Sequence, residues 1–273
     1  MSAVAEAVVQ VQNGAAASED YREPWVVARI EHGLYALTSR LVREMVSMPT
    51  INTLPEAPPH VRGLINLRGQ ALPLVDLRVR LGLPSLREST AGLEELMRQR
   101  EQDHLRWVNE LRKSIQERRP FTLTTDPHAC AFGKWYDNYR TDNLLLTAVL
   151  RRFDLPHKQL HETGKLIVDA MLRQDYGWCE QRLHQLETTS LKAMVALFAE
   201  AREVLHDTSH EIALVVLGAQ PFAVAVDAIE AVERLSPATG RSDTPGTDAS
   251  SVDGVARRQN GGLVLTVSPE GLL

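Results

Sequence analysis

Apolar residues change their rhythm twice along the chain. From Trp25 they come in short runs: Trp25–Ile30, then Leu34–Leu37 after a His32-Gly33 turn, then a loosely alternating Leu41–Met48. Runs of this length bounded by turn formers predict β-strands. Pro49, Pro55, Pro58 and Pro59 rule out a helix over the next stretch. Gly63–Leu67 and Ala71–Leu77 flank Arg68-Gly69-Gln70, which predicts a hairpin, and Leu81-Gly82-Leu83-Pro84 closes the segment. From about residue 90 to about residue 206 the chain is rich in Leu, Glu, Arg, Gln and Ala, with long stretches free of Pro. Helices are predicted over Gly92–Arg118, Cys130–Tyr139, Asn143–Phe153, Pro156–Gln174 and Tyr176–His206. From Glu211 the short apolar runs return. Ile212–Leu217 and Phe222–Val226 flank a Gly218-Ala219-Gln220-Pro221 turn, and Ile229–Leu235, Val252–Ala256 and Leu263–Val267 follow. Residues 236–251 read as a long polar loop, and residues 1–23 as a frayed leader.

The order is therefore β, then α, then β. Each β segment has only about 60 residues and no disulfide framework, a size at which a separate core is marginal. An antiparallel bundle with an even number of helices brings its two ends together, so it fits into a surface loop of another domain. The expected organisation is one split β domain interrupted by a helical bundle. Its segments are a leader (1–23), a first β part (24–87), the helical insert (88–208) and a second β part (209–273).

Composition narrows the function classes. The 273 residues are 44% hydrophobic and 24% charged, ordinary for a globular protein. Net charge is −5 and aromatics make up 5%, which argues against a phosphate-binding or base-stacking protein. Two cysteines, Cys130 and Cys179, are too few for a disulfide scaffold and fit a reducing compartment. No apolar run reaches the length of a membrane span, and Glu6 without a basic first region argues against a secretory signal. A cytoplasmic protein is expected.

The helical segment carries the candidate chemistry. His104 precedes Trp107, Val108, Leu111 and Ile115 at helical offsets, which places it on a buried stripe. His157 and His161 are four apart and share one helix face. Cys130 follows Asp126-Pro127, read as a cap and a Pro at a helix start, so that Cys130 falls in the first turn where amide N–H groups favour a thiolate. One thiolate and three imidazoles suit a tetrahedral Zn2+ ion best, although Cu, Ni and Fe accept imidazole as well. His128 could replace one of the four, and His184 is a weaker competitor. Cys179 reads as a small buried residue. The His157 pair is H-K-Q-L-H, with no Glu after the first His to serve as a general base, and four protein ligands leave no open position. A structural or sensory centre therefore outranks a catalytic one. Two alternatives stay open: a metal-dependent hydrolase or oxygen-handling centre, for which Asp103 and Glu162 are the nearest carboxylates in sequence, and a purely structural zinc.

His104-Leu-Arg-Trp107, Cys130-Ala-Phe-Gly133-Lys134-Trp135 and His157-xxx-His161 resemble the chemoreceptor zinc-binding (CZB) domain. That resemblance implies a four-helix bundle, zinc held by His104, Cys130, His157 and His161, and sensing of zinc or oxidants through Cys130. The flanking segments resemble the CheW-like chemotaxis coupling domain, a pair of small β-barrel subdomains. The run from Leu54-Pro55 through Val61-Arg62-Gly63-Leu64-Ile65-Asn66-Leu67-Arg68-Gly69-Gln70 to Leu74-Val75-Asp76-Leu77 carries the likeness, joined by Ala223–Ile229 and Val232 in the second part. Thr266-Val267-Ser268-Pro269 departs from that family's usual last strand. The resemblance implies an α+β fold in which a CheW-like pair of β-barrels contains an inserted antiparallel four-helix bundle. It further implies a non-enzymatic scaffold between chemoreceptor cytoplasmic tips and a CheA-type histidine kinase. Val42, Glu44, Asn66, Arg68 and Gly69 would line the partner-binding surface, and the bundle would offer a route to a homodimer. Asp76 and Asp227 read as organisers of local structure.

Overall fold

The computed structural model describes residues 23–237 and 251–272. The leader and most of the polar stretch at 236–251 lie outside the described residues. The chain forms two compact units, one from the residues up to Ser85 together with those from His210 onward, the other from Leu86–Ser209.

The first unit holds two six-stranded sheets. Its strands are β1 (Trp25–Ile30), β2 (Gly33–Thr38), β3 (Val42–Ser47), β4 (Ile51–Asn52), β5 (Val61–Leu67), β6 (Gln70–Asp76), β7 (Ile212–Val216), β8 (Phe222–Val226), β9 (Ala228–Glu233), β10 (Ser236–Pro237), β11 (Val252–Arg257) and β12 (Leu263–Val267). One sheet runs β10-β11-β12-β2-β1-β9 and the other β3-β7-β8-β6-β5-β4. Both sheets mix strands from the two ends of the sequence. β1 pairs antiparallel with β9 and β3 with β7, whereas β12 lies parallel to β2 and β8 parallel to β6.

The central strands are buried on both faces, which is why they read as continuous apolar runs and not as strict alternation. In β8, Phe222, Val224 and Val226 enter a core shared with β1 and β2 residues, while Ala223 and Ala225 face a second core with Ile65, Leu72 and Leu74. In β1, Val26, Ala28 and Ile30 face the shared core, and Trp25 and Val27 face a third core with Ala36, Leu235 and Val264.

Polar ties link the first β segment to the second. A short helix α1 (Leu77–Arg80) is capped by Asp76, whose Oδ1 accepts from the Val79 amide at 3.2 Å. On α1 the buried Arg78 reaches Asp227 at 2.6 Å and Glu31 at 3.0 Å and donates through Nε to the Pro84 carbonyl at 2.8 Å. Arg62 donates to both carboxylate oxygens of Glu211, at 2.7 and 2.6 Å. Asp76 and Asp227 therefore hold local structure, as their sequence setting suggests.

The second unit contains α2 (Leu86–Glu117), α3 (Ala131–Tyr136), α4 (Leu144–Arg151), α5 (Asp154–Leu172), α6 (Tyr176–Leu186) and α7 (Lys192–Thr208). α6 and α7 form one rod joined by a π-helical turn at Glu187–Leu191. The Thr188 and Thr189 hydroxyls bond back to the His184 and Gln185 carbonyls, at 2.9 and 2.7 Å, and such back-bonding competes with the regular ladder. Three long rods make the bundle, with the short α3 and α4 completing it. Asn143 caps α4 through the Leu146 amide at 3.0 Å, and Asp175 caps α6 through the Trp178 amide at 3.3 Å. The two ends of the unit meet: Thr90 and Ser209 share a hydroxyl hydrogen bond of 2.8 Å, and Arg202 on α7 pairs with Glu101 on α2 at 2.6 Å. No helix among the described residues is long and apolar enough to cross a membrane.

Candidate metal centre

Four side chains converge inside the bundle. The ligand atoms of His104, Cys130, His157 and His161 all lie within 4.8 Å of one another. His104 comes from α2, Cys130 from the start of α3, and His157 and His161 from adjacent turns of α5. The helical stripe that predicts an inward His104 therefore delivers it to the i,i+4 pair. All three histidines are buried, His161 completely, while Cys130 is half-buried.

The hydrogen bonds leave ring nitrogens of His104 and His161 without a partner among the described residues. His104 Nδ1 lies 2.7 Å from the Arg100 carbonyl, which can only accept, so this nitrogen carries the proton and Nε2 keeps its lone pair. Nε2 of His104 and both ring nitrogens of His161 are buried without a hydrogen-bond partner among the described residues. Buried polar atoms are rarely left unpaired, because each costs about 1–3 kcal/mol. One orphaned nitrogen from each of His104 and His161, beside the Cys130 thiol and His157, is the observation a cation would account for. The donors also fit in kind: one soft sulfur and three imidazoles match tetrahedral zinc, whose ligands sit roughly 3.5 Å apart. Cys130 Sγ is already 3.2 Å from His157 Nε2.

Burial sets the protonation of the group. Burial first, then the charges of His104 and His161, lower the His157 pKa to about 3. Burial, with His104 second, lowers that of His161 to about 4. Burial likewise lowers the His104 pKa. All three rings are thus neutral over ordinary pH, the state that can coordinate. Burial raises the Cys130 pKa, outweighing the amides of Gly133 and Phe132 that favour the thiolate. A bound cation reverses that balance by deprotonating the thiol.

Cys130 is itself the cap of α3. Its Sγ accepts from the Gly133 amide at 3.1 Å, and its backbone is extended. This corrects the sequence expectation that Asp126-Pro127 opens the helix. Asp126 instead accepts from the His128 amide at 2.9 Å and closes a tight turn ahead of Cys130.

An aromatic wall encloses the donors. Phe132 meets His157 edge-on at 4.9 Å, and Phe198 from α7 packs on Phe132 at 5.3 Å. Trp107 covers His161 at 5.0 Å between ring centroids and donates through Nε1 to the Thr124 carbonyl at 2.8 Å. That bond ties α2 to the loop carrying Cys130. A partly open cavity of about 470 Å3 reaches the group between Asp103, Trp107, Thr124 and Lys134.

The remaining candidates fall elsewhere. His128 is exposed, with Nδ1 2.9 Å from Asp137, and stands outside the cluster. His184 is exposed. Cys179 is fully buried in the core, with its thiol toward the Ile167 carbonyl at 3.6 Å. Asp103 is occupied by Arg100 and Arg106, and Glu162 is exposed. Trp107 and Gly164 line the cluster; the sequence places Gly164 on the His157–His161 face of its helix but does not show its contact with Trp107. A Cβ there would stand 2.2 Å from the Trp107 ring.

On the β unit, Arg68 and Gly69 form the two-residue turn between β5 and β6, with φ of 52° and 85°. Positive φ at both positions is the type I′ hairpin geometry. Asn66 Oδ1 accepts from the Gly69 amide at 2.9 Å, and Arg68 reaches Glu44 on β3 at 3.0 Å. Val42, at the start of β3, packs against the shared core. Four of the five proposed partner-facing residues thus belong to one turn and its ion pair.

Residues 24–101 match the CheW-like domain, and residues 104–168 match the chemoreceptor zinc-binding domain. These are the two families that the motifs resemble, both of them domains of signalling and scaffold proteins. The chain accordingly carries a CheW-like chemotaxis domain followed by a domain of a zinc-binding family. Among solved structures it is similar to the scaffolding protein TtCheW from Thermoanaerobacter tengcongensis, at 14% identity over 92% of this chain and 86% of that one, with a TM-score of 0.41. No curated protein matches the chain.

Proposed function

We propose that this protein is a cytoplasmic, non-enzymatic chemotaxis coupler that links chemoreceptor cytoplasmic tips to a CheA-type histidine kinase and carries a zinc centre in its helical insert. In this reading His104, Cys130, His157 and His161 hold the ion, and residues from 209 onward complete the CheW-like domain that the match at 24–101 begins. The observation that carries the zinc assignment is the convergence of one thiol and three buried imidazoles, with ring nitrogens of His104 and His161 left without a hydrogen-bond partner. The coupling assignment rests on the CheW-like match and on the Asn66, Arg68, Gly69 and Glu44 surface. Zinc occupancy, or oxidation of Cys130, would change the packing of the bundle and so the affinity for partners. A ligand shifts an equilibrium only by its differential affinity for two states, and both ends of the insert are built into the β unit.

The test is metal analysis of the purified protein, then receptor–kinase coupling with and without zinc for wild type and Cys130→Ser. Stoichiometric zinc in wild type, lost with His157→Ala, supports the centre. Coupling that responds to zinc in wild type alone supports a regulatory role. Identical coupling in all four conditions would reduce the insert to a zinc-stabilised spacer.

A further inference from the structure

We propose that a second cavity of the helical unit binds a small aryl carboxylate, with Arg118 as the group that takes the acid. The proposal does not depend on the zinc reading. The cavity holds about 290 Å3 and lies between the residues that follow α2, the end of α5 and the start of α6. Small-molecule sites span roughly 300–1,000 Å3, so this one suits a ligand at the small end of that range.

The walls call for an apolar body. Phe121, Val168, Met171, Leu172 and Tyr176 line the cavity beside Arg118, Arg119 and Pro120. Leu172 is 80% exposed, so a ligand seated against it removes apolar surface from water. Two of the five apolar walls are rings. An aromatic body gains from offset or edge-on contact with them beyond the area it buries, which an aliphatic chain does not.

The two arginines differ in what they already hold. The Arg119 guanidinium pairs with Glu110 at 2.7 Å and Glu117 at 2.6 Å and donates to Ser114 Oγ at 3.2 Å. No carboxylate among the described residues pairs with Arg118, whose guanidinium carbon lies 5.0 Å from the centre of the Tyr176 ring. A guanidinium held over a ring still offers its N–H edge to a planar carboxylate. One cation without an acid, beside an apolar cavity with ring walls, complements a monoanion whose charge sits at one end of a ring.

The backbone holds Arg118 at this place. The Arg118 amide bonds the Ile115 carbonyl at 3.3 Å and the Arg119 amide the Ser114 carbonyl at 3.0 Å, which closes α2 with Arg118 at a left-handed φ of 54°. Glycine is the usual residue there, and this chain places an arginine in its stead. Phe121 also meets Trp107 edge-on at 5.2 Å, so a ligand pressed on Phe121 is felt by the Trp107 indole.

The experiment is an NMR titration of the full chain with phenylacetate, with phenylacetamide (the same ring without the charge) and with hexanoate (the same acid without the ring). Wild type is compared with Arg118→Gly. Glycine suits the left-handed backbone, so this variant deletes the cation and keeps α2 closed, which a thermal melt checks. The expected result is saturable shifts with phenylacetate at the Phe121 and Tyr176 amides and at the Trp107 indole N–H. Affinity should fall about tenfold for phenylacetamide, and by the same factor for phenylacetate on Arg118→Gly, the scale of one charge-assisted hydrogen bond. Hexanoate should bind more weakly than phenylacetate. An absence of saturable shifts at these residues overturns the proposal. Equal phenylacetate affinity in wild type and Arg118→Gly also overturns it, because Arg118 would then serve only to close α2. Hexanoate binding as tightly as phenylacetate overturns the aryl assignment.

Discussion

Trp107 shows how single residues set the pocket around the His/Cys cluster. Its indole lies over His161, its N–H holds the Thr124 carbonyl, and its ring edge fills the space left by the missing side chain of Gly164. Because a Cβ at Gly164 would stand 2.2 Å from the ring, Gly164→Ala forces the indole off His161. Overpacking of this kind costs about 1–3 kcal/mol. We expect Gly164→Ala to melt earlier by that amount and to bind zinc more weakly than wild type; wild-type values for both in a zinc titration and a thermal melt would show that the pocket does not depend on this contact. The grouping of His104, Cys130, His157 and His161 was legible in the sequence because they sit in short, regular contexts. One pair repeats at a helical turn, one residue lies on an apolar stripe, and one precedes Gly133-Lys134-Trp135. The Trp107–Gly164 contact was not, since no local pattern ties two residues that far apart on different helices. The unpaired nitrogens of His161 likewise appear only once neighbouring atoms are placed.

At the scale of elements, α3 depends on a residue with two duties. Cys130 offers its sulfur to the centre and to the Gly133 amide, so a substitution can remove one role or both. Serine is a good helix cap and alanine is not, with typical differences of about 1 kcal/mol. Cys130→Ser and Cys130→Ala should therefore lose tight zinc binding equally, while Cys130→Ala is the less stable of the two in metal-free denaturant unfolding. Equal stability would mean that a side-chain acceptor at position 130 contributes nothing to the helix. The strands and long helices follow the sequence periods, but their ends do not. α2 starts at Leu86, ahead of Gly92, because nothing from Leu86 onward breaks a helix. α3 is shorter than Cys130–Tyr139: Cys130 stands outside it as the cap, and the helix ends at Tyr136, where the Asn138 amide turns back to the Trp135 carbonyl at 3.1 Å. The π turn in the α6–α7 rod had no periodic signature. Its cause is a Thr188-Thr189 pair bonding backward, and Thr is common in regular helices too.

The whole molecule adds the pairing of distant segments. The β, α, β order was readable from the two changes of apolar rhythm, and the pair of β subdomains from the resemblance to the CheW-like domain. The parallel pairings of β12 with β2 and β8 with β6 were not, and neither was the Arg78–Asp227 tie across 149 positions. These long-range contacts carry a strong consequence. Every strand pairing and all three β cores lie within the unit that excludes Leu86–Ser209. That unit should fold when Leu86–Ser209 is replaced by a flexible Gly/Ser linker of about ten residues, whose entropic cost grows only slowly with length. The chain ending at Ser85 should not fold, because β1, β2, β3 and β6 would each lose the neighbour supplied from beyond His210. Arg78 would also lose Asp227, leaving a buried charge without that partner, a loss that costs about 3–5 kcal/mol when a pair is broken on one side. Amide-proton dispersion and a cooperative denaturant transition should thus be present in the first truncation and absent in the second. A folded 1–85 fragment would mean that the N-terminal strands form an independent domain and that the helical segment is a connection between two domains, not an insert within one.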